Sequence, residues 1–132
     1  MRLHRAASTL AASVSFCLFV CLLLSPNLIF VLFGIERTES AEIMSRRASM
    51  LFLGFSLICW LARAAENSSA RQGIAAGLAA AMLGLAGIGL FEFVRGAVGP
   101  GVWLAIAGEV TIGSMYLRVW LTYRTLAHEQ TG

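Results

Sequence analysis

The feature that most limits what this chain can fold into is the spacing of its charges. Residues 6–35 contain no Asp, Glu, Lys or Arg, and neither do residues 72–91. A helix needs about 20 apolar residues to cross the ~30 Å hydrocarbon core of a bilayer, whereas a membrane strand needs only about 9 to 11. Peptide groups in lipid must bond within the protein, which leaves helices and closed barrels as the spanning structures, and runs of this length belong to helices. Composition agrees. Hydrophobic residues make up 58% of the chain and charged residues 13%, against roughly 45 to 50% and about 25% in soluble domains. With a mean hydropathy of +0.79, the chain has too little polar surface for water.

The expected fold class is therefore all-α: a polytopic membrane protein forming one four-transmembrane-helix bundle over residues 1–132. Its spans are expected at about 10–33, 47–64, 74–94 and 102–121. The first apolar run is far longer than the ~7 to 15 residues of a secretory signal, and no small-residue cleavage site follows it, so a retained helix is expected. The segment Leu18-Phe19-Val20-Cys21 lacks the small residues of a lipoprotein signal. Pro26 should kink this helix, because proline removes a donor and crowds the preceding turn.

The connection after it carries Glu36, Arg37, Glu39 and Glu42, and reads as a solvated linker. Glu42 and Arg46 would pair at four-residue spacing if it turns helical. The second span is uncharged only over residues 48–62, which at 1.5 Å per residue is too short for the bilayer. Arg46, Arg47 and Arg63 are expected to snorkel at its ends. Gly96, Gly99, Pro100 and Gly101 mark a turn before the fourth span, and the tail 122–132 is polar and expected to fray in water.

Small residues recur at helical spacing in the last two spans: Gly73, Gly77, Ala81 and Gly84, then Gly101, Ala105 and Gly113. Such stripes let backbones approach where lipid provides no hydrophobic drive. The first expectation is packing within one chain, and a homodimer seam is the alternative.

The net charge is +3 and the pI about 9.1, but no basic ribbon with interleaved aromatics exists, so the partner of the arginines is lipid headgroups and not nucleic acid. All ten basic residues are Arg, a bias expected of a GC-rich bacterial genome and hence of an inner-membrane location. Arg2, Arg5, Arg63, Arg71, Arg118 and Arg124 fall on one side, and Arg37, Arg46, Arg47 and Arg95 on the other. The richer side faces the cytoplasm under the positive-inside rule, which puts both termini there. Trp60, Trp103 and Trp120 fall near expected interfaces.

Glu109 stands some seven residues inside the fourth span. A carboxylate near mid-membrane costs roughly 2.5 to 3.5 kcal/mol on the insertion scale, so it should face the bundle or a wet cavity. Glu92 and Arg95, with Arg46 and Arg47, lie toward the same side and are expected to join Glu109 in one polar cluster. Its structural reading is a buried ion pair that fixes register; its functional reading is a site for a polar or anionic small molecule, or a proton relay. Cys17 and Cys21 are four apart, with Cys59 on the second span, but no His accompanies them and the spacing is not that of a redox motif. His4 and His128 are read as lying in terminal tails, so no metal is expected. Asn67-Ser68-Ser69 matches a glycosylation acceptor by chance, and no phosphate loop or nucleophile elbow occurs. No cofactor and no catalytic activity are expected.

The run Arg47-Ala48-Ser49-Met50-Leu51-Phe52-Leu53-Gly54-Phe55, then Cys59-Trp60-Leu61-Ala62-Arg63, with Ser69-Ala70-Arg71 and Gly77-Leu78, resembles small four-helix bacterial membrane proteins of unknown function. The resemblance covers residues 34–123 and implies a four-helix fold with no assigned activity. The leading expectation is an accessory or assembly subunit of a membrane complex, or a homo-oligomer. Alternatives are a small transporter or a solute or lipid binder built around Glu109, and a thiol redox protein using Cys17 and Cys21.

Overall fold

The computed structural model describes the backbone of residues 2–129 and the side chains of residues 2–122; the His128 and Arg124 side chains lie outside these. Five helices follow one another: α1 (Arg2–Leu24), α2 (Pro26–Phe33), α3 (Glu39–Ala62), α4 (Ser69–Val94) and α5 (Val102–Glu129).

Local chemistry sets the boundaries. Between α1 and α2 the helix breaks instead of kinking, because Ser25 (φ −146°, ψ 67°) leaves the helical region before Pro26, which then opens α2. Gly34 ends α2 in the left-handed conformation at φ 65°. The amide of Ile35 reaches the Phe30 carbonyl at 2.8 Å, which caps the helix in the Schellman manner. Gly96, at φ 74°, repeats the arrangement after α4, with the Ala97 amide on the Glu92 carbonyl at 3.0 Å. Thr38 caps α3 by accepting from the Ala41 amide at 3.1 Å, with Glu39 and Glu42 in the first turn. Ser68 caps α4 by accepting from the Arg71 amide at 3.3 Å.

The helices form two antiparallel pairs, α1 with α3 and α4 with α5, joined mainly through α1 against α5. Contacts fix the directions: α1 meets α3 at His4 with Ala62 and at Ala12 with Ser56, while Gly89 faces Ile106 and Gly113 faces Leu83. The main core joins Ala7, Ala11 and Ala12 of α1 to Cys59, Ala75, Ala79, Ile112 and Tyr116. A second, smaller core of Ala86, Val102 and Ile106 lies at the other end of the α4/α5 pair.

The surface is apolar where that of a soluble bundle would be polar. Leu61 is 75% and Val94 77% exposed, whereas His4 and Arg71 are only 2% exposed. Three helices, α1, α4 and α5, are long and apolar enough to cross a membrane. The chain is thus an all-α, multi-pass, membrane-type protein. Helix α3 matches them in length, but Arg46 and Arg47 fall within its span and dilute its hydropathy.

The small-residue stripes divide. On α4, a Cβ added at Gly73, Gly77 or Gly84 would meet nothing within 4 Å, and all three positions are exposed, with Ala81 half-buried. The expectation that this stripe packs within the chain is therefore corrected: α4 turns Ala75, Leu78, Ala79 and Ala86 inward instead. On α5 two of the small residues face close neighbours. A Cβ at Gly113 would sit 2.9 Å from Leu83 Cγ, and one at Gly101 would overlap the Leu32 carbonyl oxygen. A further stripe on α1, Ala7, Ser8, Ala11, Ala12 and Ser15, is buried and is what lets α3 approach.

Candidate functional site: an apolar cavity with one carboxylate

Because the two helix pairs meet mainly through α1 and α5, the facing sides of α3 and α4 do not close on each other. The gap is a cavity of about 370 Å³ to which all five helices contribute. Phe52 and Phe55 reach it from α3, Leu78 and Met82 from α4, and Ala105, Glu109 and Ile112 from α5. Their positions follow from helical spacing: Phe52, Phe55 and Cys59 stand three and four apart on one face, as do Ala105, Glu109 and Ile112.

One end of the cavity is covered by α2, through Ile29, Leu32 and Phe33. This short helix is fastened to the turn before α5, where the Gly99 amide donates to the Phe33 carbonyl and Gly101 lies against Leu32. Only glycine at position 101 leaves room for that carbonyl.

The other end rests on a layer of buried hydrogen bonds. Tyr116, fully buried, places its hydroxyl 3.0 Å from Ser8 Oγ and 3.6 Å from Cys59 Sγ. Ser56 Oγ donates to the Ala12 carbonyl at 2.9 Å, and His4 Nε2 donates to the Ala62 carbonyl at 2.9 Å. Arg71 donates to the Ala65 carbonyl at 3.2 Å. These bonds tie α1 to α3, α1 to α5, and α4 to the turn before it. His4 therefore lies inside the bundle and not in a tail, and Arg71 is buried although it opens a helix. A first span expected from Leu10 leaves His4 nearly two turns outside it, whereas the helix begins at Arg2, which puts the polar positions His4, Ser8 and Ser15 on one helical face with Ala11.

The five residues expected in one polar cluster are separated. Glu92 pairs with Arg95 at 3.4 Å, and Glu42 pairs with Arg46 at 3.5 Å and with Arg37. The Glu42–Arg46 pair is the one its spacing predicts. Arg46, Arg47 and Arg95 are exposed. Glu109 joins none of these pairs. It lies half-buried on the cavity wall, with no hydrogen bond or ion pair to any described residue. The reason is distance along the helix: seven residues inside α5, it sits about 10 Å below the end where the arginines reach water.

Cys17 and Cys59 also touch the cavity, and all three cysteines are free thiols. Among the described residues no group of three His, Cys, Asp or Glu is placed to hold a metal ion. The site's chemistry is thus that of a hydrophobic chamber with, among the described residues, a single ionisable carboxyl on its wall. Comparison of the chain with protein-family models, with curated proteins and with solved structures gives no match, so the site is interpreted from its own geometry.

Proposed function

We propose that this chain is a small four-span inner-membrane protein that binds an apolar small molecule in the chamber between its two helix pairs. The observation that carries the reading is the cavity of about 370 Å³ with Glu109 on its wall, a size within the roughly 300 to 1,000 Å³ of small-molecule sites. The fourth span is α3. It exposes Met50, Leu51, Leu57, Ile58 and Leu61 outward, a surface suited to lipid. Its uncharged stretch is extended by arginines: the Arg63 guanidinium lies 3.8 Å over the Trp60 ring and donates to the Trp60 carbonyl, the posture of a side chain reaching back to an interface. Both termini lie on the cytoplasmic side in this reading, a bacterial plasma membrane is the setting, and no reaction is assigned to the chain.

The test is binding of an environment-sensitive apolar dye to the detergent-purified protein. Ala105→Trp, which fills the chamber, is expected to abolish binding without unfolding the bundle. Equal affinity and stoichiometry for both proteins would dismiss the chamber as the site.

A second reading, a homo-oligomer or an accessory subunit of a larger membrane complex, is favoured by the α4 stripe. Gly73, Gly77 and Gly84 are exposed to the surroundings with space above each. The two readings are compatible, since the stripe and the chamber lie on different faces of α4.

A further inference from the structure

From the charge arrangement around the chamber we infer that its ligand class is the lipophilic monocation, an ammonium or comparable onium group on an apolar body, with the positive charge placed at the Glu109 carboxylate. This rests on the chamber being a ligand site.

Among the described residues Glu109 is the chamber's only charged lining group, and no described arginine or histidine reaches the wall. The arginines near the α2 end are occupied elsewhere or point outward: Arg37 and Arg46 with Glu42, and Arg95 with Glu92. Arg71 belongs to the hydrogen-bonded layer beyond the opposite end. A carboxylate held in apolar surroundings gains most from an opposite charge brought to it, because little water competes and the local dielectric is low. A ligand can supply that charge, since no described side chain does.

The same absence disfavours the opposite ligand class while Glu109 is ionised. A fatty acid or an anionic lipid headgroup would set a second negative charge beside Glu109 with no guanidinium to offset either. The anionic solute expected from the sequence depended on Arg46, Arg47 or Arg95 joining the site, and none of them lines the chamber.

The remaining walls suit an onium ion. Phe33, Phe52 and Phe55 line the chamber, and ring faces attract cations through their quadrupoles. Met82 and Leu85 across the gap provide apolar surface for the ligand's body. A neutral ligand would use these walls equally well but would leave Glu109 as it is, so charge selectivity is what distinguishes this inference from apolar binding alone.

The experiment compares two probes of one shape: a benzyl-bearing alkyl quaternary ammonium, and its neutral isostere in which carbon replaces the quaternary nitrogen. Both are titrated by equilibrium dialysis into the detergent-purified protein and into the Glu109→Gln, Glu109→Asp and Glu92→Gln variants. The ammonium is expected to bind the unaltered protein about tenfold or more tightly than the isostere. Glu109→Gln should reduce its affinity to that of the isostere, Glu109→Asp should recover most of it, and Glu92→Gln, which alters a carboxylate outside the chamber, should change nothing. Circular dichroism of each variant separates lost binding from lost fold. Equal affinity for the two probes, or an ammonium affinity unmoved by Glu109→Gln, would overturn the inference; the chamber would remain a ligand site if Ala105→Trp still abolished binding of both. Binding of neither probe nor dye would overturn the ligand-site reading itself.

Discussion

The two ends of the bundle use polar side chains in opposite ways. Toward the end where α1 begins, the buried polar side chains bond to protein through at least one atom each: Tyr116 with Ser8 and Cys59, Ser56 with Ala12, His4 through Nε2 with Ala62 and Arg71 through one guanidinium nitrogen with Ala65. Around the chamber, the one ionisable carboxyl has no partner among the described residues and the surrounding walls are apolar. In a membrane the first arrangement holds helices together, because a polar group without a partner in hydrocarbon is costly. The second tolerates that cost, which a ligand of the proposed class would relieve. Stability and binding should therefore separate along the bundle axis.

The sharpest test of that separation is Tyr116→Ala. The side chain is fully buried among α1, α3 and α5, so its removal leaves a void and two unpartnered groups, and about 3 to 5 kcal/mol should be lost in reversible unfolding from mixed micelles. A loss under about 1 kcal/mol would mean that the layer does not hold the bundle together.

Tyr116→Phe and Ser56→Ala remove only hydrogen bonds and should each cost roughly 0.5 to 1.5 kcal/mol by the same measurement. Their effects in the double variant should be nearly additive, since the Tyr116 and Ser56 hydroxyls share no hydrogen-bond partner.

Glu109→Gln should change stability by no more than about 0.5 kcal/mol, with stabilisation the favoured sign, because it removes a charge that no described residue pairs. Destabilisation as large as that of Tyr116→Phe would show that Glu109 is structural, and would erase the contrast between the two ends.

Gly77→Leu should leave the unfolding of the monomer unmoved, as its side chain would project into open space. If α4 is an oligomer seam, the same substitution should convert oligomer to monomer in sedimentation velocity. An unchanged assembly would place any seam on another face.

Much of the architecture was legible in the chain. Long uncharged runs imply helices in lipid, Gly34 and Gly96 occur where helices stop, and α5 begins at Val102 as its turn signals predict. The Glu42–Arg46 pair was also legible, because both partners belong to one helix and their spacing alone decides it. Glu109 could be singled out by the cost of its location. Its surroundings could not, and the cluster with Glu92, Arg95, Arg46 and Arg47 failed for that reason: sequence shows which end a residue lies toward, but not how far its side chain reaches across a bundle. The break at Ser25 was understated for a related reason, since a proline signals interruption without saying whether the helix bends or restarts.

Sequence by itself determined the solvent, the helical class and the ends of most elements, because each depends on short-range properties: hydropathy, backbone donors and conformational preference at single residues. Tertiary structure alone decided which face of each helix turns inward, and with it the burial of His4 and Arg71, the outward turn of Gly73, Gly77 and Gly84, and the chamber around Glu109. In lipid both faces of a helix can be apolar, so the contrast that reveals the inner face in a water-soluble protein is missing from the sequence.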